Sequence, residues 1–254
     1  MYEKGVSTVL RGYEYFKIFN KQVFYNKFAY IWSLAIPIVF LIFNSLNAEE
    51  AMTYGEFAYS TLFFWSYMIL ITASDGIGMG LLIMRDSNFL KMYAYISGSK
   101  LPIILGKVFS QLFFLWVNMV VFLSFSAIIH QQPILSLLFT SVLLLIPVAL
   151  PIYFLFVIPA TWRVRAASLG PMLTLSVILF VNVINIRLDT GTLIDYAIYL
   201  NPATVIVQFS EAIHSFILQM PIEMTWIPLG VLILYVIIGF SGYRKLDIIS
   251  REAR

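Results

Sequence analysis

Asp75, in the stretch TASDGIGMG, is the one carboxylate inside an apolar run long enough to cross a bilayer. An ionised Asp near the middle of a spanning helix costs roughly 2.5 to 3.5 kcal/mol on insertion scales, so it must face protein or water. Two roles suit it: contact with a cargo or a coupling proton, or pairing inside a helix bundle where Gly76, Gly78 and Gly80 permit close contact. Asn118, Asn182 and Asn185 suit hydrogen bonds between helices, each worth about 0.6 kcal/mol on average. His130 and His214 stand far apart without ligand-spaced neighbours. They read as ordinary surface residues, and no metal site follows from them. Intramembrane enzymes bring nucleophile, base and orienting group within hydrogen-bond reach. With no histidine in any span, no catalytic residue is assigned.

A phosphate-cradling loop is also missing from the pattern. It needs Gly-x4-Gly-Lys-Ser/Thr, so that backbone amides wrap the phosphates and the hydroxyl reaches magnesium. Here Gly98 and Gly106 are separated by seven residues, and Val108 stands where the hydroxyl belongs. The chain is expected to hold no nucleotide and no cofactor of its own.

The elements that would position these groups follow from composition. The chain is 61% hydrophobic and 11% charged, against about 25% charged in a soluble domain. Its formal net charge is only +3, so the charge says more about orientation across a bilayer than about nucleic acid, which is not expected as a partner. There is no cysteine for disulfides or thiolate metal sites. A span needs roughly 20 mostly apolar residues. Six runs qualify, at about 28–46, 60–83, 103–128, 134–158, 168–186 and 226–243. The expected architecture is all-α and polytopic, with residues 1–254 as one transmembrane domain. The first run lacks a small-residue cleavage site and is expected to stay uncleaved.

With the N-terminus inside, the cytoplasmic segments hold all but one of the 16 basic residues, Lys100 and Lys107 among them, and leave Arg187 outside. Positive residues are retained on the cytoplasmic side, so both termini are expected there. Glu49, Glu50, Glu56, Asp189, Asp195, Glu211 and Glu223 then face the exterior.

Three segments do not span. Residues 1–27 place Val6, Val9, Leu10, Tyr13 and Phe16 on one helical stripe. This predicts an amphipathic helix in the cytoplasmic interface, anchored to anionic lipid or docking a partner. Residues 85–101 carry Phe89, Leu90, Met92, Tyr93 and Ile96, more apolar surface than a connection requires. Either headgroups cover them or a cytoplasmic protein takes the short helix into a groove. In residues 187–225, Asn201-Pro202 reads as a helix start. The stripe that follows, Phe209 included, predicts an amphipathic or re-entrant helix at the outer leaflet, capping the path between the spans.

This order of elements resembles the membrane subunit of ABC transporter type-2 permeases. That family has Arg-Glu at the exit of the second span, a short helix, a Pro-x-Ser-basic turn and Gly-Lys opening the third span; here the matches are Arg85-Asp86, Ser99-Lys100 and Gly106-Lys107. Asn201-Pro202 matches the Asn-Pro before the last exterior helix. The chain departs at Asn88-Phe89, where Gly-Thr is usual, and at Ser97, where the turn has Pro. The resemblance implies that residues 86–96 form a coupling helix seated in a groove of an ATP-binding subunit, with Arg85, Asp86, Phe89, Leu90, Met92 and Tyr93 as coupling residues. It implies two copies of that subunit, which bind ATP and Mg, and a second permease subunit, identical or paralogous. Asp75, Asn201, Pro202 and Phe209 are the candidates for the translocation path. A multi-pass protein of the bacterial cytoplasmic membrane is implied, exporting an amphipathic or hydrophobic cargo such as an antibiotic, a peptide or a lipid. Polysaccharide or glycolipid export and ATP-independent secondary transport are the alternatives.

Overall fold

The computed structural model describes residues 2–25, 27–46, 52–184, 198–222 and 226–248. Glu49, Glu50, Asn185, Arg187, Asp189, Asp195 and Glu223 lie outside the described residues. Among the described residues every element is helical. In chain order these are α1 (Tyr2–Tyr25), α2 (Lys27–Leu46), α3 (Tyr54–Asp86), α4 (Phe89–Ser97), α5 (Leu101–His130), α6 (Leu135–Thr161), α7 (Ala166–Asn182), α8 (Pro202–Ile217) and α9 (Ile227–Lys245).

Four of them, α3, α5, α6 and α9, are long and apolar enough to cross a membrane. The expected first span corresponds to α2, Lys27–Leu46, and the expected fifth to α7, a shorter apolar helix over Ala166–Asn182. Asn182, at the end of α7, donates its side-chain amide to the Ile178 carbonyl of its own helix at 2.8 Å.

The second span starts earlier than its apolar run suggests. Thr53 and Glu56 form a capping box: the Thr53 amide donates to the Glu56 carboxylate at 2.9 Å, and the Glu56 amide donates to Thr53 Oγ1 at 3.4 Å. Reciprocal caps of this kind satisfy amide donors that a helix start leaves orphaned. The helix continues from Tyr54 to Asp86, widening into a π-helical segment over Thr72–Met79. It is the most enclosed span, with Phe57, Trp65, Met68, Ile69, Ile77 and Leu81 fully buried. Inside the bundle Thr72 Oγ1 lies 2.7 Å from the Tyr153 hydroxyl of α6.

α6 has its own π-helical segment, Leu145–Ala149, around Pro147 and just ahead of Pro151. Proline has no amide hydrogen to continue the ladder, and the wider turn accommodates the loss. α1 packs along the first part of α5 and α2 farther along it, where Asn118 Nδ2 donates to Ser33 Oγ at 3.0 Å. α7 lies against the π segment of α3, and α9 runs along the second half of α6.

The α6–α9 crossing requires Gly239. A Cβ there would overlap the Phe154 backbone, which cannot move aside as a side-chain tip can. Gly239→Leu is expected to destabilise the chain by about 1–3 kcal/mol, the usual cost of overpacking. Gly230→Leu, on the same helix with nothing within 4 Å, is the matched control. Thermal unfolding in detergent separates the two, and equal midpoints would contradict the crossing.

Candidate functional site

The turn out of α3 is built by Arg85 and Asp86. Arg85 is only 5% exposed, and each of its N–H donors has an acceptor. Nη1 donates to the carbonyls of Ala160 and Trp162 at 2.8 and 2.7 Å. Nη2 donates to the Val164 carbonyl at 3.2 Å and, with Nε, to Asp86 Oδ1 at 3.0 and 3.1 Å. The other oxygen of Asp86 accepts from the Ala166 amide at 3.3 Å, at the start of α7. One ion pair therefore ties the end of α3 to the end of α6 and the beginning of α7. The planar guanidinium suits this, since its donors diverge in a fixed fork. Arg85 has no donor left over for a partner, so its place is behind the surface.

Asn88, in the left-handed region at φ 62°, then reverses the chain into α4. Gly98, at φ 68°, ends that helix in the conformation glycine adopts without penalty. α4 turns Leu90, Ala94 and Ser97 inward. The opposite face is apolar and open: Phe89 is 52% exposed, Met92 44%, Tyr95 76% and Ile96 71%. Of the candidate coupling residues, Phe89 and Met92 are thus on the surface, Tyr93 is partly covered, and Leu90 is buried. Tyr95, outside the apolar set chosen from the sequence, is the most exposed of the group. Its place beside Ile96 on a one-turn helical projection is the signal that could have found it.

α4 and the turn after it are held by α1 and by the end of α9. The Tyr15 hydroxyl of α1 donates to the Tyr93 carbonyl at 3.1 Å, and the two rings meet edge to face with centroids 5.4 Å apart. Arg11 donates to the Ser97 carbonyl. Lys100, in the turn after α4, donates to the Leu246 carbonyl at 2.9 Å, just past the end of α9. α1 approaches α5 closely at Gly106, where a Cβ would meet the Gly12 carbonyl oxygen at 2.8 Å and the Phe16 amide nitrogen at 2.9 Å. Gly106 thus supplies a packing surface for α1.

Asp75 sits in the π segment of α3 with its side chain exposed on the outside of the bundle. Ser74 Oγ donates to it at 3.4 Å. Its glycine neighbours are the contact points: Gly76 meets Gln111 and Gly80 meets Lys107, both on α5, while Gly78 faces the Phe156 carbonyl of α6 and Leu173 of α7. Helices on both flanks leave the carboxylate facing outward. Lys107 lies within α5 and is buried, its ammonium 5.2 Å from the Phe19 ring centroid. Lys107 thus lies in the first turns of this helix, and α1 folds over this part of α5 and covers it.

The remaining path candidates are turned inward. Asn201 is the N-cap of α8, its Oδ1 accepting from the Ala203 amide at 3.0 Å and its Nδ2 donating to the Phe180 carbonyl at 2.8 Å. Pro202 and Phe209 are buried among neighbouring helices. They do not converge with Asp75 on one open surface. His214 is not the surface residue expected from its position. It is 6% exposed, because α8 packs that face on α3 and α6. Asn118 bonds Ser33 across helices, yet its Oδ1 is buried without a partner among the described residues. No group of three His, Asp or Glu side chains able to hold a metal occurs among the described residues.

Set against protein-family models, curated proteins and solved structures, the chain matches none in any of the three comparisons.

Proposed function

We propose that the chain is the membrane-spanning subunit of an ATP-driven exporter, coupled through α4 to ATP-binding subunits on separate polypeptides. The observation that carries this reading is the open apolar face of α4, Phe89, Met92, Tyr95 and Ile96, on a helix too short to cross a bilayer. An apolar helix face of this size fits a groove in a partner. The bracing of α4 supports a mechanical role: a push on it reaches α3 directly, α6 and α7 through Arg85-Asp86, α1 through Tyr15 and α9 through Lys100. The reading also rests on the sequence matches at Arg85-Asp86, Ser99-Lys100, Gly106-Lys107 and Asn201-Pro202.

In this mechanism the ATP-binding subunits close on ATP and Mg, α4 moves, and α3 and α7 shift against a second permease subunit. The outward carboxylate of Asp75 would then face that second subunit or the path between them, which meets its need for protein or water. Abundant aromatic residues with few charges in the spans favour an amphipathic or hydrophobic cargo, moved out of the cytoplasm of a bacterium.

The test is copurification in detergent of the tagged full chain with each ATP-binding-cassette protein encoded beside it, followed by ATP hydrolysis with and without the chain. A stable complex with stimulated hydrolysis is expected. A chain that purifies alone with every such protein would overturn the reading. Weight would then move to secondary transport, with Asp75 the residue to replace next.

A further inference from the structure

His214 connects three helices at the end of the bundle opposite α4. α3 alone separates the two ends by about 48 Å at 1.5 Å per residue, with Tyr54 at one end and Asp86 at the other. The imidazole Nδ1 lies 3.1 Å from Thr140 Oγ1 on α6, and Nε2 lies 3.3 Å from the Tyr54 hydroxyl at the start of α3. That hydroxyl also bonds Ser136 Oγ on α6. The tyrosine ring stands beside the imidazole, with centroids 6.0 Å apart.

The protons in this chain can be placed one after another. Thr140 Oγ1 donates its single proton to the Ser136 carbonyl at 2.8 Å. It can therefore only accept from the imidazole, and Nδ1 carries the hydrogen. Nε2 then has its lone pair free and accepts from the Tyr54 O–H. Tyr54, with its proton engaged, accepts from the Ser136 hydroxyl. All the protons have places while the imidazole is neutral. A second ring proton would sit on Nε2 and point at a donor. Tyr54 and Ser136 would both have to reverse, and the Ser136 hydroxyl would lose the acceptor it has now.

The surroundings offer little to balance the new charge. α6 and α7 carry no charged residue among their described positions. On α8 the nearest acid in sequence is Glu211, whose carboxyl is held above its ordinary range by burial. Glu56 of α3 is engaged with Thr53, and His130 at the end of α5 packs on Phe57. Tyr235 of α9 is bonded to the Leu200 carbonyl at 2.8 Å.

We propose that His214 is a proton-binding site that latches α8 over the starts of α3 and α6, holding it closed when neutral and releasing it when protonated. Burial keeps the imidazole below its ordinary value of 6.5. A lifted α8 would restore that value, so the open form binds protons more readily than the closed one. Closure is therefore at full strength above about pH 6.5 and weakens as pH falls below it, by up to about tenfold per pH unit until the depressed value is reached.

The chain's lack of cysteine makes the test clean. Ser210→Cys places a thiol on the fully buried face of α8, and Phe216→Cys places one on its exposed face. The ratio of their maleimide-labelling rates, measured on the full chain in liposomes at about pH 7.5 and about pH 5.5, cancels the intrinsic pH dependence of thiol reaction. The ratio is expected to rise up to about tenfold at the lower pH and to stay flat in a His214→Gln background. Tyr54→Phe removes the donor to Nε2 and is expected to move the midpoint of the rise to higher pH. A flat ratio in the parent, a rise that persists in His214→Gln, or a midpoint unmoved by Tyr54→Phe would overturn the proposal.

Discussion

Replacing Arg85 with alanine is expected to be the most destabilising single change in the described chain. The substitution leaves three carbonyls, those of Ala160, Trp162 and Val164, without their shared donor, and Asp86 without its cation. Breaking a buried ion pair by removing one partner costs about 3–5 kcal/mol, and because Asp86 is only partly buried the loss is expected toward the lower end of that range. Arg85→Lys should recover only part of this, because one ammonium cannot meet carbonyls from three residues and a carboxylate at once. Unfolding of the purified chain in mixed detergent micelles would measure both. The expected order of midpoints is parent, lysine, alanine, with a wide gap between the first two. A lysine variant equal to the parent would mean that only charge matters, and the clamp across α3, α6 and α7 would be wrong. The alanine variant should also lose any stimulation of a partner ATPase, since α4 would remain but its connection to α6 and α7 would not.

Arg85 shows where sequence reasoning reaches its limit. Its basic character and its place at the exit of the second span are visible in the residue string. Its inward orientation is not, because its acceptors are backbone carbonyls 75 to 79 residues later, and every residue offers a carbonyl. His214 was hidden for the same reason: Thr140 and Tyr54 are 74 and 160 residues away, and hydroxyl residues are common throughout the chain. Features set by local chemistry were easier to read. Asn201-Pro202 begins α8 because the Asn side chain caps the Ala203 amide and Pro needs no donor in the first turn. The run after Asn88 and before Gly98 forms a helix bounded by two left-handed residues. The early start of α3 was written locally as well, in Thr53-x-x-Glu56, but a hydropathy window passes over it because both capping residues are polar. Hydropathy placed the first span at about 28–46, in agreement with α2, and the fifth at about 168–186, whereas the α7 helix ends at Asn182.

The second large effect lies on the outward face of α4. Phe89→Asp combined with Tyr95→Asp is expected to abolish copurification with an ATP-binding partner while leaving insertion in the membrane intact. Both side chains are mostly exposed in the chain alone, so the fold loses little beyond the stacking of Phe89 on Tyr93, with ring centroids 6.3 Å apart. Seated in an apolar groove, each carboxylate would be buried without a counter-charge. Central aromatic anchors are worth about 2 kcal/mol or more, roughly 30-fold in affinity each, before any penalty for the new charges. Tyr93→Asp is a poorer probe even though the sequence points to it. Its ring is packed against Tyr15 and Phe19, with centroids 5.4 and 6.4 Å apart, so its loss would detach α1 and confuse docking with folding. The choice of residues is what separates the two coverings of α4. If headgroups cover the helix, the Phe89 and Tyr95 carboxylate variant shifts lipid dependence and still binds the ATPase. If a partner covers it, the complex disappears at unchanged yield of inserted chain, and a complex that survives the double substitution places the coupling surface elsewhere.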